Sequence, residues 1–140
     1  MMRDLRSGFN GTIALASAAK AKSGSPFTSA AIDLLGFDAC MIVATAGALG
    51  TQVNTYTVTI TDGATSAAAD TPVAGYLIGS IVHEYNSSPA VDTSSTVKLA
   101  AYVGGKRYIK VILTVVGAGT GSGVVGIDVI RGHPKYSPVA

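Results

Sequence analysis

Apolar and polar residues alternate along several segments of the chain, and this period-two pattern is typical of half-buried β-strands. The clearest example is residues 53–60, where three threonines share one face. Val53 and Val58 fall on opposite faces of that segment, so we expect either a β-bulge or a two-sided environment near Tyr56. The pair Asp62-Gly63 predicts a turn directly after the strand, because both residue types tolerate positive φ.

Three further strands are predicted in the last third of the chain, over residues 97–103, 106–116 and 124–130. Gly104-Gly105 lies between the first two, and two glycines between alternating runs indicate a β-hairpin with a primed turn. Residues 117–123 are glycine-rich and predict a flexible loop. The three strands are therefore expected to form an antiparallel meander.

Weaker strand patterns occur in the first two-thirds of the chain, and no segment shows a long apolar pattern at helical spacing. The weaker strands are predicted at 12–16, 30–34, 39–45 and 76–82, the last with a helical turn as its alternative, while 65–74 is a loop or a single helical turn. Six to eight short strands separated by turns predict an all-β, antiparallel fold. A β-sandwich, including the jelly-roll arrangement, or a barrel satisfies this pattern.

The length of 140 residues predicts a single β-sandwich domain spanning 1–140, with an extended arm at each end. Residues 1–10 are the predicted N-terminal arm. Residues 132–140 are the predicted C-terminal arm, because Pro134 and Pro138 cannot donate ladder hydrogen bonds.

Charge is low and scattered: 13% of the residues are charged and the formal net charge is +2. The only compact basic group, Lys106, Arg107 and Lys110, alternates between the two sides of a predicted strand. Binding to nucleic acid needs basic residues clustered on one face, so we expect no direct nucleic-acid partner. A surface with few charges suits a chain that packs against copies of itself or against a protein partner.

No membrane partner is expected either, because no apolar stretch approaches the roughly 20 residues of a membrane span. A signal peptide is not predicted, since Gly8, Asn10 and Gly11 interrupt the apolar core that it would need. Cys40 is the one cysteine and lies in an apolar run, which is typical of a small buried hydrophobic residue in a reducing compartment.

Two motif fragments point to ligands, and neither is complete. The run 121–126 matches G-x-G-x-x-G, but a β-branched strand follows it where a dinucleotide site needs a helix N-terminus. His83-Glu84 begins like a zinc-protease motif, yet Ser87 stands where the second histidine would be. We therefore expect no cofactor and no metal.

Catalysis is not expected. Serine, histidine and aspartate are all present, but no G-x-S-x-G nucleophile elbow occurs. Nothing in the sequence nominates a carboxylate pair for glycoside hydrolysis. The chain is therefore predicted to be non-enzymatic, with no catalytic residues.

The segments 102–111 and 132–139 resemble small virion proteins of tailed bacteriophages. In that family a "GxKRYI-V" strand leads to a glycine-rich loop, an apolar strand and a closing proline-containing tail, and 32–34 and 56–59 look similar too. The resemblance is to jelly-roll capsid decoration, or cement, proteins. It implies a jelly-roll β-sandwich, a place on the capsid surface of a virion, synthesis in the host cytoplasm and no catalytic residues. It also implies homo-oligomers (dimers or trimers) that bind the major capsid protein and bridge adjacent capsomers.

For such a role the two arms are the predicted contact regions, since an exposed arm can lie on a neighbour or add a strand to a free sheet edge. Tyr136 is the best single anchor, because aromatic side chains dominate interface hot spots. The predicted partner contacts are Arg3, Leu5, Arg6, Phe9, His133, Lys135, Tyr136 and Val139.

Two alternative functions stay open. One is a different virion component, such as a head-completion, tail or spike protein. The other is a carbohydrate-binding β-sandwich, which would need an exposed aromatic platform that a chain without tryptophan can hardly supply.

Overall fold

The computed structural model describes residues 9–47, 54–67, 69, 71–72, 77–78, 82–84, 96–117 and 121–134. Within these residues the chain forms β-strands and turns. The strands are β1 (Asn10–Ala21), β2 (Phe27–Thr28), β3 (Ile32–Asp33), β4 (Phe37–Ala46), β5 (Asn54–Gly63), β6 (Thr71–Pro72), β7 (Leu77–Ile78), β8 (Val82–Glu84), β9 (Thr96–Tyr102), β10 (Tyr108–Gly117) and β11 (Ser122–Pro134). The predicted all-β class is confirmed.

The strands form two antiparallel sheets that pack face to face. The five-stranded sheet has the order β1-β11-β4-β9-β7. The six-stranded sheet has the order β2-β10-β5-β6, with β3 also paired to β10 and β8 also paired to β5. Along the chain, the major strands alternate between the two sheets. One layer is β1-β11-β4-β9, and the facing layer has β10 and β5 at its centre, with β2 and β3 beside β10 and with β6 and β8 beside β5. This is the strand order of a jelly roll, as predicted.

The predicted meander is wrong, because a jelly roll places consecutive strands in different sheets. The strand β9 pairs with β4 and β7, whereas β10 pairs with β5, β2 and β3, and β11 pairs with β1 and β4. The segment 103–107, which contains Gly104-Gly105, is a crossover from one sheet to the other. Among the described glycines the positive φ values belong to Gly36 and Gly117, so the primed turn expected at Gly104-Gly105 does not form.

For β5, the bulge alternative near Tyr56 and the predicted turn at Asp62-Gly63 are also wrong. The strand pairs with β10 in one unbroken register, from Asn54 opposite Gly117 to Gly63 opposite Tyr108, so there is no bulge at Tyr56. Asp62-Gly63, predicted as a turn, lies inside the strand. The predicted strand at 76–82 is resolved into two short strands, β7 and β8, which belong to different sheets.

The five-stranded sheet includes residues of both predicted arms. Asn10 is already in β1, opposite Arg131, and β11 continues through Pro134, which pairs with Phe37. The rest of the two predicted arms, residues 1–8 and 135–140, lies outside the described residues.

The core lies between the sheets and is made by alternate positions of the long strands. In β10 the inward residues are Ile109, Val111, Leu113 and Val115. They meet inward residues of the five-stranded sheet, where Ile42, Ile127 and Val129 are fully buried. Burying one such side chain contributes about 1.5–3 kcal/mol, so the facing rows account for most of the attraction between the layers.

Two tyrosine hydroxyls join the sheets at opposite ends of β5. The Tyr56 hydroxyl accepts a hydrogen bond from the backbone N–H of Gly123 (2.7 Å) and donates to the carbonyl of Lys20 (3.2 Å). At the other end, the Tyr102 hydroxyl of β9 donates to Oδ2 of Asp62 (2.8 Å). Burial, together with the hydrogen bond to Asp62, raises the pKa of Tyr102. These polar groups lie among apolar side chains, so each depends on its partner in the other sheet.

The Tyr102 ring lies against the crossover that follows β9. A Cβ placed on Gly104 would lie 2.1 Å from Cζ and Oη of Tyr102, whereas a Cβ on Gly105 would meet nothing within 4 Å. The fully buried Tyr102 cannot move aside, so position 104 accepts only glycine. The glycine pair is therefore explained by close packing rather than by a hairpin.

We expect Tyr102→Phe to lower the free energy of unfolding by about 2 kcal/mol, because it leaves the buried Asp62 carboxylate without its donor. Urea unfolding measures this loss. The control is Tyr108→Phe, which removes a half-buried hydroxyl on the outer side of the six-stranded sheet and should change stability by less than about 0.5 kcal/mol. Equal losses for the two variants would contradict the inter-sheet role of Tyr102.

Gly104→Ala and Gly105→Ala form a matched pair at adjacent positions. The first should destabilise the protein by more than about 2 kcal/mol, because its methyl group overlaps the Tyr102 ring. The second should be neutral or slightly stabilising, since it only restricts the unfolded chain. Thermal unfolding of both variants checks this, and similar melting temperatures would refute the packing explanation.

Candidate interaction surface

The outer faces of the two sheets differ in chemistry. On the six-stranded sheet the outward positions of the central strands are mostly polar, with Thr57, Thr59, Lys110 and Thr114 beside the apolar Ile112 and Val116. A mainly polar outer face is usual for an antiparallel sheet that meets solvent. The five-stranded sheet instead carries apolar side chains on its outer face as well as its inner one. A sheet that is apolar on both faces is typical of a sheet covered on both sides.

The strand register aligns these outward side chains in rows across β1, β11, β4 and β9. In one row, Ile130 pairs with Gly11 on one side and Met41 on the other, and Met41 pairs in turn with Ala101. The next row is Ile13, Asp128, Val43 and Leu99. A third row contains Gly126, Thr45 and Val97. We call this surface the apolar outer face.

Most of the exposed large hydrophobic side chains in the described part of the chain belong to the apolar outer face. Ile13 is 69% exposed, Val97 is 61% exposed and Leu99 is 54% exposed, and Met41 and Val124 are exposed as well. Isolated exposed apolar residues are ordinary on protein surfaces, but a contiguous group marks an interaction site.

Phe9 extends the apolar outer face beyond β1. A Cβ placed on Gly132 would lie 3.0 Å from Cε1 of the Phe9 ring, so the ring lies over Gly132 on the outer side of β11. Phe9 nevertheless stays 53% exposed. Its ring therefore covers the glycine and presents its other side to a partner.

The dimensions of the apolar outer face suit one contact among several. Four strands at a spacing of about 4.8 Å, and about 20 Å of strand length, give a footprint on the order of 400 Å². This lies within the roughly 300–600 Å² of the largest apolar patch on an ordinary monomer, a patch that is often functional. It is about half of the roughly 800 Å² that each partner contributes to an interface of standard size.

Asp128 is the one formal charge within the rows of the apolar outer face. It is half-buried between Ile13 and Val43, its neighbours in register on β1 and β4. Among the described residues no donor or cation meets its carboxylate. An unpaired carboxylate in apolar surroundings destabilises any complex that dehydrates it, unless the partner supplies a cation.

A separate cleft of about 490 Å³ opens at one end of the sandwich. It lies between the turn 34–38 and the crossover 104–107. Gly36 takes φ of 88° in that turn, and the Asp33 carboxylate accepts a hydrogen bond from the backbone N–H of Leu35 (2.9 Å).

Arg107, at the rim of the cleft, is held by a bidentate ion pair with Asp33, at 2.9 Å and 2.7 Å. The hydrogen bond from Arg107 lowers the pKa of Asp33 and raises that of Arg107. This exposed pair orients the guanidinium toward its own chain. The cleft thus has a loop held in place, and Asp38, Lys106 and Arg107 are the titratable residues of its lining.

The described residues contain no group of three or more side chains that could hold a metal ion. Cys40 is buried in the core, and burial raises the pKa of its thiol to about 12. Such a thiol stays protonated at neutral pH and is a poor nucleophile. Within the described ranges there is also no helix long and apolar enough to cross a membrane.

The predicted partner contacts are placed only in part. Phe9 lies at the edge of the apolar outer face. His133 is not in an arm, because its backbone belongs to β11 between Gly132 and Pro134. The other predicted contacts, Arg3, Leu5, Arg6, Lys135, Tyr136 and Val139, lie outside the described residues.

Sequence reasoning missed the apolar outer face, although the sequence contains a signal for it. The segments 39–43 and 124–130 are almost continuously apolar, whereas a strand with one wet face alternates. Asp128 is the one polar side chain in the second run, whereas a strand with one solvent-exposed face would carry several.

Comparison with known proteins assigns the chain to no family. No protein-family profile matches it, and no curated protein sequence is similar to it. Several solved structures are similar to it at low identity. One is the coat protein of Tobacco streak virus, with 14% identity over 95% of this chain and 92% of the coat protein, at a TM-score of 0.40.

A second similar structure is the K3 adhesin domain of Lys-gingipain from Porphyromonas gingivalis. It has 10% identity, a TM-score of 0.42, and coverage of 86% of this chain and 72% of the domain. A third is a family GH115 4-O-methyl-α-glucuronidase with 15% identity and a TM-score of 0.45, of which the chain spans only 17%. At these identities and TM-scores, none of the three assigns a substrate or a partner to this chain.

We expect the double variant Val97→Thr with Leu99→Thr to bind markedly less of a fluorescent hydrophobic dye than the unchanged protein. Threonine keeps the β-propensity of both positions, and both side chains are more than half exposed, so stability should change by less than about 1 kcal/mol. The control is Val116→Thr, an equally conservative change at a 50% exposed position on the six-stranded sheet. Equal dye binding by the control and the double variant would mean that the apolar outer face is not a distinct patch.

Proposed function

We propose that this protein is a non-enzymatic structural component of a virion. In this proposal it binds the outer surface of a tailed-phage capsid shell and cements adjacent capsomers. The observation that carries the proposal is the apolar outer face, a contiguous patch on a rigid sheet with only one charge in its rows. A patch of this kind is suited to a protein partner rather than to a small molecule.

The resemblance of 102–111 and 132–139 to decoration proteins of tailed phages supports the choice of a capsid as the partner. The low content of charged residues supports it as well, because a decoration protein remains packed against other subunits. In this role the protein is located on the virion surface, its partner is the major capsid protein, and it assembles as a dimer or trimer.

The mechanism would be mechanical. A protein that binds only the assembled shell shifts the assembly equilibrium toward the shell by mass action. A footprint on the order of 400 Å² per copy gives a modest affinity for one contact. Simultaneous engagement of several contacts by one oligomer multiplies that affinity, provided that the spacing of the capsomers matches the oligomer.

The direct test is co-sedimentation of the purified protein with empty heads assembled from the major capsid protein of the same virus. We expect saturable binding, with a copy number proportional to the number of shell subunits, and heads that withstand a higher temperature. Heads incubated with the double variant Val97→Thr, Leu99→Thr serve as the comparison. Absence of binding would refute the proposal, and binding of a handful of copies per head would point to a component of a single vertex.

A further inference from the structure

The apolar outer face contains one feature that a purely hydrophobic contact does not explain, which is the carboxylate of Asp128. It lies in the second row, with Ile13 and Val43 on either side and Leu99 one strand further. A partner that covers this row removes water from the carboxylate. Because dehydrating an unpaired charge opposes binding, the partner must either avoid this row or bring a positive charge to it.

We propose that Asp128 is the charged anchor of the apolar outer face and that it receives a cationic side chain from the shell protein. The inference rests on the proposed function, since it takes the capsid as the partner. The surface that it predicts on the shell is an apolar patch with one arginine or lysine near its centre. Arginine suits the site better, because its guanidinium is weakly hydrated and can bind a carboxylate with two parallel hydrogen bonds.

A second copy of the chain fits the face less well. Two copies that met face to face around a two-fold axis would present the same patch to each other. Each Asp128 would then approach an apolar patch whose rows contain only the other Asp128 as a charge. Like charges in a dehydrated interface repel, so this arrangement lacks the compensating cation that a different partner can supply.

The position of Asp128 also suits an anchor mechanically. Its strand β11 lies between β1 and β4 and pairs with both. A charge on an inner strand of a sheet is held in place by the ladders on both sides. A partner cation therefore meets a carboxylate whose backbone is already ordered, which reduces the entropy that binding must remove.

The test measures binding to empty heads for the unchanged protein, Asp128→Asn and Asp128→Leu. If a cation meets the carboxylate, both substitutions leave that cation unpaired, and the dissociation constant should rise at least about tenfold. If no cation is present, both substitutions remove a dehydration penalty and binding should become tighter, which would overturn the inference. Unchanged binding would also overturn it, because Asp128 would then stay in water.

Asp38→Asn is the matched control. It makes the same chemical change at an exposed aspartate beside the cleft at the sandwich end. Its affinity for heads should equal that of the unchanged protein. A loss of affinity as large as that of Asp128→Asn would mean that overall charge, and not the position of Asp128, controls binding.

The double variant Val97→Thr, Leu99→Thr separates failure of the inference from failure of the proposed function. If the unchanged protein binds heads and this variant does not, but Asp128→Asn binds normally, the face is correct and the anchor is wrong. If the unchanged protein does not bind heads at all, both proposals fail.

Two other occupants of the face give different results, and each overturns the inference. If a second copy covers the face, sedimentation equilibrium shows a dimer that Leu99→Thr weakens and Asp128→Asn strengthens. If the chain's own residues 1–8 cover it, their deletion increases dye binding in the free protein.

Discussion

The rest of the structure depends on one constraint: β4 and β11 contribute apolar side chains to both faces of the five-stranded sheet. Side chains alternate along a strand, so the odd positions of β11 that fill the core determine that the even positions face outward. The unbroken pairing of β11 with β4 extends this choice across the sheet. A slip by one residue would bring Asp128 into the core and expel Ile127 or Val129, so the carboxylate also helps to fix the register.

The sequence predicted the fold class and most of the long strands, because β10 and β5 alternate clearly and the glycine-rich segments separate strands as expected. It failed on topology, since alternation within a strand says nothing about which sheet the next strand joins. Gly104-Gly105 shows why: a pair of glycines permits a hairpin, but here it makes room for the Tyr102 ring. No local sequence pattern shows that the Tyr102 ring lies against this crossover, or which sheet the strand after the crossover joins.

The apolar outer face was not predicted from the sequence, for a related reason. The sequence directed attention to the chain ends, where Phe9 lies at the edge of the apolar outer face and most of the other chosen residues lie outside the described part of the chain. The rows of that face combine positions from β1, β4, β9 and β11, which are far apart in sequence. The register of strand pairing determines which residues share a row, and the sequence alone does not show that register. The two outer faces would also orient the protein on a shell, with the apolar one toward the partner and the threonine-rich one toward solvent.

The irregular register of β1 has a consequence for solubility. The register of β1 against β11 shifts between Ile13 and Leu15 and again between Leu15 and Ala18. Ser17, within the second shift, lies close to Gly126. A straight edge strand with almost no charge would template the addition of further molecules, one after another, into an open-ended fibril. Two interruptions within twelve residues deprive an incoming strand of a regular ladder. The protein can thus present an adhesive surface at high local concentration while its sheet edge resists polymerisation.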